Sequence, residues 1–242
     1  MSQPDERLER QIAGYTREVT DALESQLLCL GLYGSAAGTD WFPPHSDINT
    51  VIVVPAVTID VLDALAPIVA RWETRRFATP LLVERDFLAR ARDAFPIELE
   101  DIRHQHRLLA GADLLTDLHV EPDAVRRQCE KEARAKLLRL RALYLATAGA
   151  PTALERLMLE SVKSILIFLR HLLRLQGREP GMCYREVLAT GEESLGPLPM
   201  VTRLLDHREG VTRLVPHALR LEFREYLGEV ERIVQALDTL HA

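Results

Sequence analysis

The first half of the chain alternates short apolar runs with segments in which apolar residues recur every three or four positions. One such segment, residues 4–26, predicts an amphipathic helix that leads into an apolar run at 28–33. Gly34, Ser35 and a Gly/Pro-rich loop separate that run from an unbroken apolar run at 51–54, which predicts two strands. The same rules predict a helix over 58–72, a strand over 80–83, a short helix over 85–92 and a strand over 95–100. We therefore expect a mixed sheet covered by helices.

After Gly111 the pattern becomes helical. Residues 123–148 contain no proline or glycine, and their apolar positions keep helical spacing. Further helices are predicted over 152–175, around 184–189 and over 213–240, with Pro216 in the first turn of the last one or marking its start. The predicted fold class is α+β, with an N-terminal mixed sheet and helices followed by an all-α helical bundle. We place the two domains at 1–115 and 116–242.

Candidate chemistry is concentrated where the first strand ends and the second begins. Gly34 and Ser35 follow the first strand, and Asp47 and Asn49 lie at the head of the second. Residues two apart on a strand share one face, so the side chains of Asp47 and Asn49 are predicted to point the same way while Ile48 turns into the core. This pattern predicts a polar site at one edge of the sheet.

The arrangement resembles the DNA polymerase beta-like nucleotidyltransferase superfamily, whose signature is a Gly-Ser pair followed by Asp-x-Asp at the head of a second strand. Gly34, Ser35 and Asp47 match this signature, whereas Asn49 stands where the second aspartate is expected. The resemblance implies a nucleoside triphosphate whose phosphates approach the backbone amides of the turn and bond the serine hydroxyl. It also implies Mg²⁺ (or Mn²⁺), held by Asp47, Asn49 and a further carboxylate.

That further carboxylate is predicted in segment 95–100, where strand alternation separates apolar residues from Glu98 and Glu100. We place Glu98 first and Glu100 second, because Asp101 falls on the apolar side. Glu100 is also the candidate general base. The predicted catalytic residues are Asp47, Glu98 and Glu100. The predicted nucleotide-binding residues are Gly34, Ser35, Asp47 and Asn49, and the predicted metal ligands are Asp47, Asn49 and Glu98.

The neutral side chain of Asn49 leaves two hypotheses about function. A divalent cation and one carboxylate about 4 Å apart attract by roughly 8 kcal/mol at an effective dielectric near 20, before desolvation is subtracted. The first hypothesis is a nucleotidyltransferase that moves an NMP group from an NTP to a hydroxyl of a small molecule or protein by two-metal chemistry, with Glu98 and Glu100 replacing the missing charge. The second is a catalytically impaired scaffold that acts as a nucleotide-binding or protein-binding regulatory module.

The helical second half resembles, in layout, the helical C-terminal domains of aminoglycoside nucleotidyltransferases and the helical partners of minimal nucleotidyltransferases. The resemblance implies an acceptor molecule as a second partner beside the nucleotide. The sequence does not name the acceptor, the preferred NTP or the oligomeric state, and a homodimer is left open.

The two histidines of segment 103–107 allow a further interpretation. His104 and His106 alternate as two imidazoles on one strand face would, a geometry that zinc uses. The sequence shows no third ligand, so a solvated basic turn is favoured. Arg103 or Arg107 contacting the triphosphate is the alternative that the resemblance leaves open.

Composition limits the partners and the compartment. A net charge of -6 opposes bulk electrostatic attraction to nucleic acid. No apolar stretch approaches the roughly 20 residues that span a bilayer, and the N-terminal residues are too acidic and polar for a secretory peptide. Three scattered cysteines lack metal-ligand spacing and suit a reducing compartment. We therefore expect a cytoplasmic protein without a membrane partner.

Overall fold

The computed structural model of this 242-residue chain describes residues 6–38, 41, 46–90, 94–215 and 217–240, with only the backbone at residue 89. The chain has two compact units, Met1–Val120 and Glu121–Ala242. The sheet belongs to the first unit, and the described elements of the second are helices. The predicted α+β fold class is confirmed.

The first unit follows the predicted order of helices and strands as far as residue 90, but a helix replaces the predicted strand over 95–100, and the strand after that helix was not predicted. Its elements are α1 (Glu6–Leu23), β1 (Cys29–Tyr33), β2 (Asn49–Val54), α2 (Ile59–Glu73), β3 (Leu81–Glu84), α3 (Arg85–Arg90), α4 (Pro96–His104) and β4 (His106–Gly111). A 3₁₀ turn at Gly34–Ala36 follows β1. Residues 4–5 and 91–92 of the predicted helices lie outside the described residues.

The described strands form one four-stranded sheet in the order β3-β2-β1-β4. β1 is antiparallel to β2 and β4, and β2 is parallel to β3. The register places Tyr33, the last residue of β1, opposite Asn49, the first residue of β2. The glycine-serine turn and the head of β2 therefore lie at the same end of the sheet.

An aromatic cluster holds α1 and α2 on one face of this sheet. The ring of Tyr15 stacks on Phe77 with centroids 4.5 Å apart and meets Trp72 edge-on at 5.8 Å. The hydroxyl of Tyr15 is 3.1 Å from Oγ1 of Thr50 on β2, and burial raises the pKa of Tyr15. Aromatic pairs of this kind add about 0.5–1.5 kcal/mol beyond area burial. The cluster therefore fixes the helices against the strand that carries the candidate site.

Segment 95–100 is not a strand, so this prediction is wrong: Pro96–His104 form α4. Pro96 occupies the first helical turn, where its fixed φ and missing N–H are tolerated. Leu99 and Ile102 are both buried and lie one turn apart, as helical packing requires. Apolar residues that alternate over only six positions are compatible with either a strand or a helix. The burial of Ile102, three residues after Leu99, identifies the segment as a helix. The three predicted carboxylates lie on this helix: Glu98, Glu100 and Asp101.

The second unit contains the predicted long helices and one that the sequence did not reveal. Its elements are α5 (Pro122–Ala146), α6 (Pro151–Leu175), α7 (Tyr184–Leu195), α8 (Pro199–Arg208) and α9 (Leu219–Asp238). α8 was missed because a proline-rich segment precedes it, although Pro199 is at its first position. The last helix begins at Leu219 and not near residue 213, and Pro216 lies outside the described residues.

Helix α6 is the centre of the second unit and packs against α5, α7 and α9. The hydroxyls of Ser161 and Tyr226 are 2.8 Å apart in this core. The buried carboxylate of Glu229 accepts hydrogen bonds from the amides of Met200 at 2.8 Å and Val201 at 2.9 Å. Glu229 thus caps the start of α8. Among the described helices, none combines the length and the apolar character that a membrane span requires.

Candidate functional site

The glycine-serine turn approaches the head of β2 closely. Gly34 has φ +72°, in the left-handed region that favours glycine, and a Cβ built there would lie 3.3 Å from Nδ2 of Asn49. Both the backbone conformation and the contact with Asn49 therefore favour glycine. The turn and the first residue of β2 are therefore in contact at this end of the sheet.

Ser35 follows Gly34 and is buried, with 7% of its surface exposed. Its Oγ has no hydrogen-bond partner among the described residues. Buried hydroxyls are almost always hydrogen-bonded, because an unpaired polar group costs free energy when it leaves water. The turn therefore holds one buried hydroxyl whose hydrogen-bonding capacity is not used by the described residues.

Gln105 supports the turn from the junction of α4 and β4, a role that sequence reasoning missed. Its carbonyl accepts a hydrogen bond from the amide of Gly34 at 3.2 Å. Its buried side chain lies against Gly38, where a Cβ would be 1.9 Å from Nε2 of Gln105. The amide of Gly34 is therefore engaged within the protein, so the expectation that this amide binds a phosphate is not supported.

Asp47 and Asn49 flank Ile48, which is fully buried and forms a parallel bridge with Phe77. The prediction that Ile48 turns into the core is confirmed. Asp47 precedes the strand and is exposed, and Oδ1 of Asp47 lies 2.9 Å from Nη2 of Arg76. The first acid of the predicted signature is thus paired with a guanidinium.

Arg76 is the second residue of the site that sequence reasoning missed. It has φ +69°, a strained conformation for a residue with a side chain. Its carbonyl accepts a hydrogen bond from the amide of Ile48 at 2.8 Å, and its Nε donates to the carbonyl of Ser46 at 3.2 Å. Only the parallel bridge between Ile48 and Phe77 brings this arginine beside Asp47, so no local pattern could have indicated it.

Glu98 lies in the first turn of α4 and is exposed. Burial raises the pKa of Tyr33, and the negative charge of Glu98 raises it further. Tyr33 is the cross-strand partner of Asn49. Glu98 is therefore electrostatically coupled to this end of the sheet although it lies on a helix, and its catalytic and metal-binding roles stay predictions.

Glu100 is engaged by its own helix. Its carboxylate accepts two hydrogen bonds from Arg103, at 3.0 Å from Nε and 2.8 Å from Nη2, and this pairing raises the pKa of Arg103. The carbonyl of Asp101 accepts a hydrogen bond from the amide of Gln105 at 2.9 Å, and this bond closes the last turn of the helix. The role of Glu100 as general base stays a prediction. To act as a base, its carboxylate would have to break its hydrogen bonds with Arg103.

The two histidines do not share a strand face. His104 ends α4, whereas His106 begins β4 and lies beside Asp113, with Nε2 of His106 3.3 Å from Oδ1 of Asp113. Arg107 pairs with Glu9 of α1 at 2.9 Å. The imidazole pair, which the sequence left as the less favoured interpretation, is therefore not formed, and the segment is a helix-to-strand junction.

The described residues do not assemble the oxygen-ligand set that the resemblance implies for a divalent cation. Asp47 is paired with Arg76, and Asn49 brings no charge. Glu84, the acidic residue of β3, pairs with Val54 at the end of the strand far from Asp47. Its carboxylate accepts a hydrogen bond from the amide of Val57 at 3.2 Å. No group of three or more His, Cys, Asp or Glu side chains suited to a metal occurs in the part of the chain that the structure describes. The donor set does not fit magnesium.

Comparisons with known proteins agree with the fold. The structure is similar to that of the spectinomycin adenyltransferase AAD(9) from Enterococcus faecialis with ATP and spectinomycin, with a TM-score of 0.57 and 13% sequence identity. The match covers 92% of this chain and 99% of that chain. The chain has a nucleotidyltransferase fold. No family model and no curated protein sequence matches it.

Within this nucleotidyltransferase fold, the turn at Gly34 and Ser35 and the head of β2 occupy the positions that the sequence motif predicted relative to the sheet. Two residues outside the motif complete the local structure: Gln105 supports the turn, and Arg76 pairs with Asp47. The turn therefore lies where the motif predicted it, while the acid beside it is paired with an arginine.

Proposed function

We propose that this protein binds a nucleoside triphosphate at the Gly34–Ala36 turn and the head of β2, and that its capacity for nucleotidyl transfer is impaired. The observation that carries the proposal is the buried hydroxyl of Ser35, which has no partner among the described residues. In a nucleotidyltransferase fold, this serine is the group expected to bond a phosphate oxygen. The same hydroxyl would otherwise be an uncompensated cost to folding.

Impaired transfer follows from the charges around Asp47. Phosphoryl chemistry relies on positioning and on neutralising the charge of the phosphates, which cations supply. Here the second carboxylate of the motif is replaced by Asn49, and the first is paired with Arg76 at 2.9 Å. A site of this composition is better suited to hold a nucleotide than to activate it, which favours a nucleotide-binding regulatory module.

A second candidate function is transfer of an NMP group to a hydroxyl of a small molecule or protein. The observation that favours it is the similarity to an adenyltransferase across 92% of this chain, including the helical unit. The structure of that neighbour contains ATP and spectinomycin. Under this hypothesis Asp47, Asn49 and Glu98 would hold magnesium and Glu100 would act as base, after Asp47 and Glu100 leave their arginine partners.

Ser35→Ala tests nucleotide binding. We expect this variant to unfold at the same temperature as the wild type or higher, because an unpaired buried hydroxyl is removed, and to bind ATP several-fold more weakly. Ser161→Ala is the matched control: Ser161 is bonded to Tyr226 at 2.8 Å, so its loss should lower stability and leave ATP affinity unchanged. Unchanged ATP affinity in Ser35→Ala would count against the proposed site.

Incubation with labelled NTPs and either Mg²⁺ or Mn²⁺ separates the two candidate functions. Nucleotide binding without transfer of label to small hydroxylated molecules or proteins supports the binding module. Transfer that is abolished by Asp47→Ala would establish the transferase instead.

A further inference from the structure

We infer that the guanidinium of Arg76 supplies the positive charge that a divalent cation supplies in metal-dependent nucleotide sites, so that this site binds a polyphosphate without metal. The inference rests on the proposed function and adds to it the chemistry of phosphate recognition. The resemblance implies that Asp47 binds magnesium. In the structure, Asp47 instead pairs with the guanidinium of Arg76.

Arg76 is held in place by its backbone and by its side chain. The carbonyl accepts the amide of Ile48 at 2.8 Å, and Nε donates to the carbonyl of Ser46 at 3.2 Å. Its φ of +69° is sparsely populated by residues with a side chain, and such conformations persist only where the surrounding structure fixes them. The guanidinium is therefore directed to Asp47 by the fold.

The guanidinium also remains accessible to a ligand. The side chain of Arg76 is 44% exposed and that of Asp47 is 61% exposed, and ion pairs between exposed groups are weak. Nη1 of Arg76 has no hydrogen-bond partner among the described residues, because the bonds of this side chain come from Nε and Nη2. A planar guanidinium binds phosphate oxygens in a bidentate manner, so a triphosphate can engage Nη1 while Nη2 stays on Asp47.

The charge balance at the turn favours this role. A carboxylate at Asp47 without a counter-ion would repel a triphosphate, since like charges at close range oppose binding. Arg76 cancels this repulsion from within the chain. Asp47 and Asn49 are two residues apart along an extended segment, about 7 Å, and Asn49 contacts the turn. We therefore place one polyphosphate at the head of β2, with the turn that carries Ser35 beside Asn49 and the Arg76 guanidinium beside Asp47.

The test is ATP binding to the purified full-length protein, measured by isothermal titration calorimetry in excess EDTA and in excess Mg²⁺. We expect the two dissociation constants to agree within about threefold, and inorganic tripolyphosphate to compete with ATP in EDTA. Arg76→Gln should weaken binding in EDTA by about tenfold, and Arg76→Lys by less, because lysine keeps the charge and loses the planar fork.

Arg75→Gln is the matched control for this test. It removes the same charge from the neighbouring residue, whose guanidinium lies 4.4 Å from the ring centroid of Trp72. We expect it to bind ATP in EDTA as the wild type does. Thermal melting of each variant establishes that it is folded. The comparison of ATP binding in EDTA and in Mg²⁺ uses the wild type alone and so does not depend on the folding of any variant.

The outcomes separate the inference from the proposed function. ATP binding that requires Mg²⁺ would overturn the inference and leave the proposed function intact. Equal ATP affinities of folded Arg76→Gln and Arg75→Gln in EDTA would also overturn the inference. Absence of ATP binding under both conditions would overturn the proposed function, and the inference with it.

Discussion

The carbonyl oxygen of Gln105 accepts a hydrogen bond from the amide of Gly34 at 3.2 Å, which ties the glycine-serine turn to the junction between α4 and β4. The side chain of the same glutamine is buried against Gly38. One residue therefore contacts the first residue of the turn and the chain just after it. This relationship gives the first prediction.

Gly38→Ala should destabilise the first unit by about 1–3 kcal/mol, because a Cβ there would lie 1.9 Å from Nε2 of Gln105 and the buried glutamine would have to move. The measurement is the midpoint of urea unfolding. The double variant Gly38→Ala/Gln105→Ala should recover part of the loss, since the clashing atoms are gone.

Gly228→Ala is the control for this prediction. Gly228 lies in α9, and a Cβ there would meet nothing within 4 Å. Alanine is the better helix former by about 1 kcal/mol, so this variant should be neutral or stabilised. A Gly38→Ala midpoint equal to that of the wild type would contradict the packing of Gln105 against the turn.

Asn49→Asp should introduce a dependence of nucleotide binding on divalent cations. A second carboxylate two residues from Asp47 adds a charged oxygen ligand of the kind that magnesium prefers. We expect Mg²⁺ to improve ATP affinity in this variant by about tenfold relative to EDTA, whereas the wild type changes little. Titration calorimetry of the same preparation with and without Mg²⁺ provides its own control. A variant that is indifferent to Mg²⁺ would show that residues 47 and 49 do not converge on one ligand.

Asp113→Asn should remove a pH-dependent contribution to stability. The Thr116 hydroxyl, together with the amides of Leu115 and Thr116 and the ring of His106, lowers the pKa of Asp113 to about 2. A carboxyl with a lowered pKa stabilises the fold when ionised, so the contribution is complete above about pH 4 and is lost as the pH falls towards 2. Because the group is partly exposed and screened, we expect a loss of about 0.5–1 kcal/mol at neutral pH.

Urea unfolding at a series of pH values checks this prediction. The difference between wild type and Asp113→Asn should shrink as the pH falls below about 4. Asp117→Asn, a change at a nearby exposed aspartate, is the control and is expected to leave stability at neutral pH unchanged. A difference that persists undiminished at low pH would rule out ionised Asp113 as its source.

Glu229→Ala should destabilise the helical unit by about 2–3 kcal/mol, because two buried amides at the start of α8 lose the carboxylate that accepts their hydrogen bonds. Burial raises the pKa of Glu229, so its stabilising contribution is complete below about pH 4 and declines as the pH rises through the raised pKa. Relative to Glu229→Gln, which does not titrate, the wild type should therefore lose stability with rising pH.

Thermal or urea unfolding monitored by circular dichroism measures both effects. Glu193→Gln serves as the control, since the side chain of Glu193 is 75% exposed. A Glu229→Ala variant as stable as the control would show that the start of α8 does not depend on this cap.

Local patterns predicted most of the fold. The turn at Gly34 and Ser35 was identified because glycine and serine interrupt an apolar run, and Ile48 was placed in the core because alternation along a strand is a local property. The strand over 95–100 was wrong because six alternating residues fit two periods, and the packing of Ile102 decides between them. Gln105 was passed over because the histidines on either side of it carried the interpretation of its segment, and Arg76 could not be found because it belongs to no periodic or motif-bearing segment.

The sequence by itself determined the elements as far as α3, the long helices of the second half, the position of the tight turn and the neutral residue at position 49, since dihedral preference and residue chemistry belong to each position. Only the tertiary structure decided which group faces Asp47. Arg76 lies 29 residues further along the chain and reaches that carboxylate because the segment entering β3 runs parallel to the one entering β2, with Phe77 bridged to Ile48. The physical reason is that the charge balance of a site depends on side chains brought together by long-range strand pairing, which no local pattern records.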